Sequence, residues 1–291
     1  DSYEIAENAL VDFPFQCKQL SQTKNSGKKS AIKLGIKNSE HEIILCTDAD
    51  CTMEENWVKQ MQTAFHSEQA HMALGPLLLE SDGTSWFQKL QAFEFSALMA
   101  LTWHTTRRSK PILSNGANVA FRKELFASSK GYEGNQELAS GDDIFLLHAF
   151  KREFGRKGIV FVADEKALVK TKSTSGLKSF INQRIRWASK SKKYKDYDTI
   201  NFGLVITAAN LAILTAFVGF LFQLNSLSYL LGAFCFKWIL DLLLVQQLPH
   251  WLRVNSIVKW SFILSLFYPS YSVGIALLSL FYRPEWKGRK I

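Results

Sequence analysis

The sequence predicts an α/β domain of about 200 residues followed by a membrane region, and the distribution of charge is the first reason. The chain has 291 residues, with 35 Lys and Arg against 26 Asp and Glu, which gives a net charge of +9. Residues 201–281 hold four charged side chains, Lys237, Asp241, Arg253 and Lys259. A soluble domain keeps charges over its surface. This stretch therefore excludes a single soluble globule and predicts membrane-spanning helices.

The second reason is an alternation of short β-type runs with helical runs between Phe13 and about Asp164. We expect strands at Phe15–Leu20, Glu42–Cys46 and Met72–Leu79, and helices at Ser30–Lys37, Met53–His66 and Trp86–Trp103. Strands that alternate with helices of this length favour a sheet with helices on both faces. In such sheets ligands bind beyond the carboxyl ends of the strands, so we expect a site at the end of Glu42–Cys46.

Asp48 and Asp50 follow that strand directly, as Asp-Ala-Asp. Two carboxylates on the turn that leaves a strand point into the same space, and they suit a hard divalent cation such as Mg²⁺ or Mn²⁺. A polar turn in which an aspartate caps the helix Met53–His66 is the alternative interpretation. Cys46 and Cys51 flank the motif at a spacing that suits neither a zinc knuckle nor a redox pair, so we expect reduced structural thiols.

A second acidic motif, Asp142 and Asp143, follows Ser140 and Gly141 and precedes an apolar run. We expect the two acids to begin a helix, where capping and the helix dipole account for one of them. Two adjacent acids exceed what capping needs. A carboxylate held near others can have its pKa raised toward working pH, which suits a general base.

The third motif lies in Gly176–Tyr194, for which the spacing predicts an amphipathic helix with one apolar stripe. The stripe consists of Leu177, Phe180, Ile181, Ile185 and Ala188. Gln183, Arg186 and Trp187 share the nearly opposite face. A cationic helix just before a membrane block fits the bilayer interface, so we expect this second face to point toward the aqueous domain. A purely electrostatic membrane anchor is the alternative, although it does not account for the grouping of these three side chains.

In order and spacing, Asp48-Ala-Asp50, Gly141-Asp-Asp143 and Gln183-Arg-Ile-Arg-Trp187, followed by apolar helices, resemble the membrane glycosyltransferases of family 2. That group includes cellulose, hyaluronan and poly-N-acetylglucosamine synthases and ceramide glucosyltransferases. The resemblance implies a GT-A-type nucleotide-sugar transferase domain followed by a C-terminal transmembrane helical region. The family's first strand and first acidic motif have no counterpart here, so we expect a GT-A-type domain that is incomplete, in a chain truncated at its N-terminus.

The resemblance also implies a role for each site residue. Asp48 and Asp50 would bind Mg²⁺ or Mn²⁺, which holds the diphosphate of a nucleotide-sugar donor of the UDP type. Asp143 would be the base that deprotonates the acceptor hydroxyl, and Asp142 would support it. The residues that would bind donor and acceptor are Gln183, Arg186, Trp187, Gly116, Ala117 and Asn118. A tight turn before a helix at 122–127 accounts for the last three almost as well.

Four regions are expected: a partial cytoplasmic catalytic domain at 1–174, an interface helix at 175–200, a transmembrane region of about three helices at 201–282, and a basic tail at 283–291. The three predicted spans are Phe202–Gln223, Leu227–Leu248 and Ser256–Phe281. Lys237 and Asp241 lie one helical turn apart in the second span, which favours either a self-neutralised pair or a role in an acceptor path.

Basic residues are dense before the first predicted span, so the positive-inside rule places the catalytic domain in the cytoplasm, at the inner (plasma) membrane. After three crossings the basic tail, which carries Arg283, Lys287, Arg289 and Lys290, would lie outside. Either the third segment re-enters the membrane or the tail breaks the rule. Anionic lipid accounts for the cations beside the membrane, so we do not expect a nucleic-acid partner.

The predicted function is a membrane-bound, metal-dependent and inverting glycosyltransferase of the hexosyltransferase type. It would move a sugar from a nucleotide donor to a lipid or glycan acceptor. Single transfer is favoured over polymer synthesis, because three spans with a short uncharged loop leave little material for a polymer channel. The alternative is a non-catalytic membrane interaction module or an inactive fragment, since the nucleotide-binding start is missing.

Overall fold

The structure is a computed structural model that describes residues 2–10, 16–22, 27–81, 85–133, 140–282, 285–286 and 289–290. The strand predicted at Phe15–Leu20 starts outside these residues, and its described part, 16–20, is not a strand. The tail residues Arg283 and Lys287 also lie outside the described residues.

The described strands form two mixed sheets and one short antiparallel pair. They are β1 (Ile43–Cys46), β2 (Cys51–Met53), β3 (Met72–Leu74), β4 (Leu77–Glu80), β5 (Val119–Arg122), β6 (Ile159–Phe161), β7 (Val169–Lys172), β8 (Glu285–Trp286) and β9 (Arg289–Lys290). The main sheet has the order β1-β5-β3-β6, in which only β3 and β6 are parallel. The second sheet has the order β2-β7-β4, with β4 and β7 parallel, and β8 pairs with β9.

Helices cover the sheets and then form the C-terminal region. They are α1 (Ser2–Leu10), α2 (Lys28–Asn38), α3 (Trp57–Thr63), α4 (Trp86–Arg107), α5 (Lys123–Ser128), α6 (Asp142–Phe154), α7 (Leu177–Ser189), α8 (Tyr197–Leu221), α9 (Leu227–Gln246) and α10 (Ile257–Phe281). Short 3₁₀ turns follow α3 and α7. The mixed α/β class predicted from the alternation of strands and helices is confirmed.

Two of the predicted elements have different bounds in the structure. The single strand predicted at Met72–Leu79 is broken after Leu74, because Pro76 has no N–H for a ladder, and β3 and β4 belong to different sheets. The helix predicted from Met53 begins at Trp57, and Met53 lies in β2. The N-cap of this helix is Asn56, so neither Asp48 nor Asp50 caps it.

The main sheet separates two apolar cores. On one side, Met72, Leu74 and Phe121 pack against α6 and α2. On the other side, Ala73 and Ala120 belong to a core that also contains residues of α3 and α4. This second core continues without a break into Leu248, Leu252 and Trp260, which lie after α9 and at the start of α10. The α/β domain and the C-terminal helices therefore share one core.

Three helices of the described chain, α8, α9 and α10, are long and apolar enough to cross a membrane. The side chain of Asp196 caps α8 by accepting from the backbone N–H of Thr199 at 2.9 Å, and α8 begins five residues before the predicted span. In α9, the ammonium of Lys237 contacts the carboxylate of Asp241, which also accepts from the hydroxyl of Ser265 at 3.2 Å. These two charges therefore neutralise each other, as one of the two interpretations requires.

Candidate active site

Charged side chains from four elements meet beyond the carboxyl end of β1. The ammonium of Lys28, at the start of α2, lies 2.6 Å from Asp48 Oδ1 and 3.1 Å from Asp142 Oδ2. Asp143 Oδ2 accepts from the backbone N–H of Gly116 at 3.3 Å, and Asp143 Oδ1 lies 3.8 Å from the ammonium of Lys190. We call Lys28, Asp48, Asp142, Asp143 and Lys190 the acidic pocket.

The start of α6 places the two acids in this pocket. Gly141 precedes the helix with a φ of 88°, a left-handed conformation that glycine adopts without strain. A Cβ at this position would lie 2.8 Å from the ring of Phe145, so the turn also needs the space. Asp143 accepts a hydrogen bond from the backbone N–H of Ile144 at 2.8 Å, which accounts for one acid by local helix-end bonding. Asp142 instead reaches across to Lys28.

The two neighbouring carboxyls have opposite pKa shifts. Burial and the charge of Asp143 raise the pKa of Asp142. Burial also opposes ionisation of Asp143, but Lys190 and the N–H of Ile144 outweigh it and hold the pKa of Asp143 below its ordinary value. The sequence suggested a raised pKa for the base, and the structure gives that property to Asp142. Asp143 is ionised at neutral pH and can accept a proton.

The donor set fits a divalent cation, although no three His, Cys, Asp or Glu side chains of the described residues form a ready-made metal cluster. Asp48 and Asp142 come from different elements and converge on one cationic group, the ammonium of Lys28. Mg²⁺ and Mn²⁺ commonly use one or two protein carboxylates and complete their shell with water and substrate phosphates. The side chain of Asp50 is near the thiol of Cys51, at 3.9 Å, and its part in a metal site stays a prediction.

The predicted face of Gln183, Arg186 and Trp187 is split in the structure. Arg186 points into the pocket, where its guanidinium donates to Ser140 Oγ at 3.2 Å. Burial lowers the pKa of Arg186, and the charges of Asp143, Asp142 and Asp48 oppose that shift. Gln183 instead accepts a hydrogen bond from Arg184 at 2.5 Å, and the ring of Trp187 lies 4.3 Å from the Arg184 guanidinium. Only Arg186 of the three borders the acidic pocket directly.

The apolar stripe of α7 does not form one lipid-facing surface. Leu177 is 62% exposed, but Ile185 is buried and Phe180 packs against Phe87 and Tyr271 at ring distances of 5.4 and 5.7 Å. The expected orientation is therefore wrong for the middle of the helix. The physical reason is that α10 packs along α7 and covers this side.

Gly116, Ala117 and Asn118 lie at and below the floor of the pocket. A Cβ on Gly116 would lie 3.0 Å from Asp142 Oδ2 and 3.3 Å from Lys28 Nζ, so this glycine lets the two charges approach the backbone. Ala117 and Asn118 are 2% and 1% exposed. The Asn118 amide donates to the carbonyls of Pro76 and Ala167 and accepts from Trp57 Nε1. The structure thus places the side chains of Ala117 and Asn118 under the site, where they fix the loop.

Sequence reasoning did not single out several residues that the structure brings to the site or beneath it. Lys28 and Lys190 supply the cations of the pocket. Arg184 and Glu94 form a buried ion pair under α7, with Nη2 and Oε2 2.5 Å apart. A charge in the middle of the aromatic-rich helix α4 was the available signal for Glu94. Arg184 lies inside the third motif, between its predicted residues.

An open cavity of about 520 Å³ adjoins the pocket between α2 and β1. It is lined by Lys28, Ile32, Ile44, Cys46 and Gly116, among others. Burial raises the pKa of the Cys46 thiol to about 12, which keeps it protonated, as expected for a reduced structural cysteine. The volume lies in the range that small-molecule ligand sites occupy.

Comparison with known proteins adds one match. The model of the family described as glycosyl transferase family group 2 matches residues 43–282, which include α7, the three apolar helices and every residue of the acidic pocket except Lys28. No curated protein matches the chain.

Proposed function

The chain belongs to glycosyl transferase family group 2, and from this premise we propose a metal-dependent, inverting hexosyl transfer at a membrane. The family implies a nucleotide-sugar donor and an acceptor. The proposal is finer: the donor is a UDP-sugar, the acceptor is a lipid or a glycan, and one sugar is moved in each reaction. In this proposal the partial catalytic domain, residues 1–174, lies on the cytoplasmic side of the inner membrane. It is followed by the interface helix 175–200, the membrane region 201–282 and the tail 283–291.

The observation that carries the proposal is the convergence of Asp48 and Asp142 on a single cation, with Asp143 and Arg186 beside them. A nucleotide sugar brings a diphosphate, which needs positive charge, and an acceptor hydroxyl, which needs a base. The pocket offers both within one cluster. The cavity beside Lys28 is large enough to take part of the donor.

Asp48 and Asp50 would hold the metal ion, with Asp142 close by. When bound, the ion supplies Lewis-acid charge that neutralises the leaving diphosphate. Lys28 and Arg186 add cationic charge on the same side. Gly116 keeps the floor open, because any side chain there would press on Asp142 and Lys28.

The reaction is one displacement at the anomeric carbon. The acceptor hydroxyl gives its proton to Asp143, and its oxygen forms the new glycosidic bond. The bond between the anomeric carbon and the donor diphosphate breaks, and the diphosphate leaves with the electron pair. Lys190 and the backbone N–H groups of Gly116 and Ile144 keep Asp143 ionised and aimed before it takes the proton.

Asp143→Asn tests the assignment, because it removes the base and keeps the shape of the side chain. Membranes that contain the full chain are supplied with UDP-hexoses and Mg²⁺ or Mn²⁺, and release of UDP is measured. We expect a loss of about 10²–10⁴-fold, the usual contribution of a general base. The exposed acid Glu55 provides the matched control, Glu55→Gln, which should keep wild-type activity.

Two outcomes would contradict the proposal. Full activity of Asp143→Asn would exclude this residue as the base. Absence of UDP release from the wild-type chain with every UDP-hexose tested would favour the non-catalytic membrane module instead. Unfolding of both variants in detergent shows whether a loss of activity reflects a loss of fold.

A further inference from the structure

α10 is as apolar as a membrane span, but its length restricts where its ends can lie. The helix has 25 residues, which corresponds to about 37 Å at 1.5 Å per residue. The hydrocarbon core of a bilayer is about 30 Å thick. If α10 crossed this core, one of its ends would lie on the side opposite the catalytic domain. The contacts of its two ends and its middle therefore decide whether it crosses.

The first end of α10 is embedded in the catalytic domain. Leu252, five residues before the helix, is fully buried, and its carbonyl accepts from the hydroxyl of Ser96 in α4 at 2.9 Å. Trp260, in the first turn of α10, is 7% exposed and belongs to the core that contains Phe95 and Met99 of α4. The segment that enters α10 is thus held on the catalytic side.

The middle of α10 also contacts this domain. The hydroxyl of Tyr271 donates to Glu94 Oε1 at 2.9 Å, and its ring stacks on Phe180 of α7. Tyr271 lies 14 residues after Ile257, or about 21 Å along the helix axis. A helix that ran straight into the bilayer would have left the domain by this point. Glu94 is only two residues from Ser96 in α4, so α10 passes along the domain and does not run away from it.

The second end returns to the charged turn beside the acidic pocket. The ammonium of Lys192 donates to the carbonyl of Leu280 at 3.0 Å. Lys192 belongs to the 3₁₀ turn Lys190–Lys193, and Lys190 of the same turn contacts Asp143. The carbonyls at the last turn of α10 therefore lie at the level of the pocket's own cations.

The two sides of α10 differ in a way that fits this position. Ser261, Ser265 and Ser279 are buried, the first two against α9, where Ser261 accepts from Trp238 Nε1 at 3.0 Å and Ser265 donates to Asp241 at 3.2 Å. Large apolar side chains are exposed on the other side: Phe262, Leu266, Phe267, Leu277, Leu278 and Phe281. An apolar surface of this extent beside two spanning helices has the lipid of the same leaflet as its natural partner.

From these contacts we infer that α10 does not cross the membrane. It lies along the membrane-facing side of the catalytic domain, both of its ends stay on the side of that domain, and its exposed apolar side contacts lipid. Only α8 and α9 cross. The basic tail that follows α10 then lies on the catalytic side, which satisfies the positive-inside rule that three crossings would break.

Single cysteines test which side of the membrane each segment faces. Leu224→Cys marks the loop between α8 and α9, Tyr282→Cys marks the end of α10, and Lys59→Cys marks an exposed position of the catalytic domain. The four natural cysteines are replaced in this background. Sealed inside-out and right-side-out vesicles are treated with a membrane-impermeant maleimide. We expect Tyr282→Cys to be labelled from the same side as Lys59→Cys, and Leu224→Cys from the opposite side.

Labelling of Tyr282→Cys together with Leu224→Cys would overturn the inference, because α10 would then cross. Labelling of all three positions from one side would also overturn it, because α8 and α9 would not cross. If the chain without natural cysteines does not fold, an epitope tag at the C-terminus of the full natural chain replaces it. Antibody binding in intact inside-out vesicles supports the inference, and binding only after detergent is added contradicts it.

Discussion

Arg184 and Arg186 lie two residues apart on α7, yet they belong to two charged regions of opposite character. Arg186 borders the acidic pocket, in which the side chains of Lys28 and Asp48 are 28% and 40% exposed. Arg184 pairs with Glu94 in a buried joint between α4, α7 and α10, where the two side chains are 5% and 8% exposed. We call Glu94, Arg184 and Tyr271 the buried joint. The helix α7 therefore contributes one arginine to a partly exposed group of charges and another to a buried ion pair.

The partners of the charges explain what each region can do. In the pocket, Lys28 and Lys190 neutralise carboxylates that are partly exposed; under the proposed function, a metal ion and the donor diphosphate would take over these ion pairs. In the joint, every partner comes from the protein. Glu94 accepts from Arg184 and from the Tyr271 hydroxyl, and the guanidinium lies 4.4 and 4.3 Å from the rings of Phe180 and Trp187. Under the proposed function, the charges of the pocket bind ligands, whereas those of the buried joint hold α7 in place.

Arg184→Ala gives the largest effect expected from this comparison. It leaves the carboxylate of Glu94 buried with only the Tyr271 hydroxyl as a partner, and breaking a buried ion pair in this way costs about 3–5 kcal/mol. Arg186→Ala should cost less than about 1 kcal/mol of stability, because solvent reaches the pocket, while activity falls. Denaturant unfolding in detergent micelles and UDP release measure the two properties.

The control for Arg184→Ala replaces both charges. Glu94→Leu combined with Arg184→Leu removes the ion pair without leaving a buried charge, and such exchanges are often neutral or stabilising. We expect the double variant to regain most of the stability lost by Arg184→Ala. Equal unfolding free energies for Arg184→Ala and Arg186→Ala would show that the joint is no more sealed than the pocket.

Two glycines test the same difference between the open pocket and the packed core, by adding a side chain and leaving the charges unchanged. A Cβ on Gly75 would lie 2.2 Å from the side chain of Asn118, which three hydrogen bonds hold in the core. A Cβ on Gly116 would meet the ends of Asp142 and Lys28, at 3.0 and 3.3 Å, and Asp143 Cβ at an ordinary contact distance of 3.6 Å. Gly75→Ala should therefore destabilise the protein by about 1–3 kcal/mol or more.

Gly116→Ala is the matched substitution in the pocket. Its neighbours are flexible side-chain ends that can move, so we expect a loss of less than about 1 kcal/mol, with a larger effect on UDP release than on unfolding. Thermal unfolding of both variants measures the contrast. A Gly116→Ala variant that is less stable than Gly75→Ala would contradict the expectation that side chains move to accommodate a methyl group in the pocket but not in the core.

The sequence predicts the elements that its periodicity defines, and much less of what those elements bring together. The strand before Asp48, the helix start at Asp142 and the three apolar helices follow from local patterns, and the structure has all of them. The break in the predicted strand Met72–Leu79 has a local cause at Pro76, but the assignment of its halves to two sheets depends on distant partners.

The site shows the same division. Asp48, Asp142, Asp143 and Arg186 meet as their motifs suggest. Lys28 could not be placed from sequence, because its contact with Asp142 spans more than a hundred residues. The pair of Glu94 and Arg184 is likewise a product of packing between α4 and α7, and periodicity on either helix alone does not reveal it. Chain-distant contacts of this kind decided which face of α7 is covered.

The last predicted effect concerns pH, and it compares the pocket with a second fixed contact, between α6 and α8. His148 lies 3.1 Å from the Thr199 hydroxyl, and burial lowers the pKa of its imidazole to about 4. The unfolded chain binds this proton near pH 6.5 and the folded chain near pH 4, so stability falls as the pH drops through this window. In the pocket, Asp142 has a raised pKa and contributes the opposite sign, since the folded state there binds its proton first.

His148→Gln should therefore reduce the loss of stability between pH 6.5 and pH 4 by about 2–3 kcal/mol, because glutamine can still bond to Thr199 but does not titrate. Unfolding free energies measured at several pH values in this window test the expectation. The exposed His66 supplies the control, and His66→Gln should follow the wild-type curve. If His148→Gln also follows that curve, acid acts on the protein elsewhere. The folded protein would then accept a protonated His148 between α6 and α8 without loss of stability, as the pocket accepts its charges.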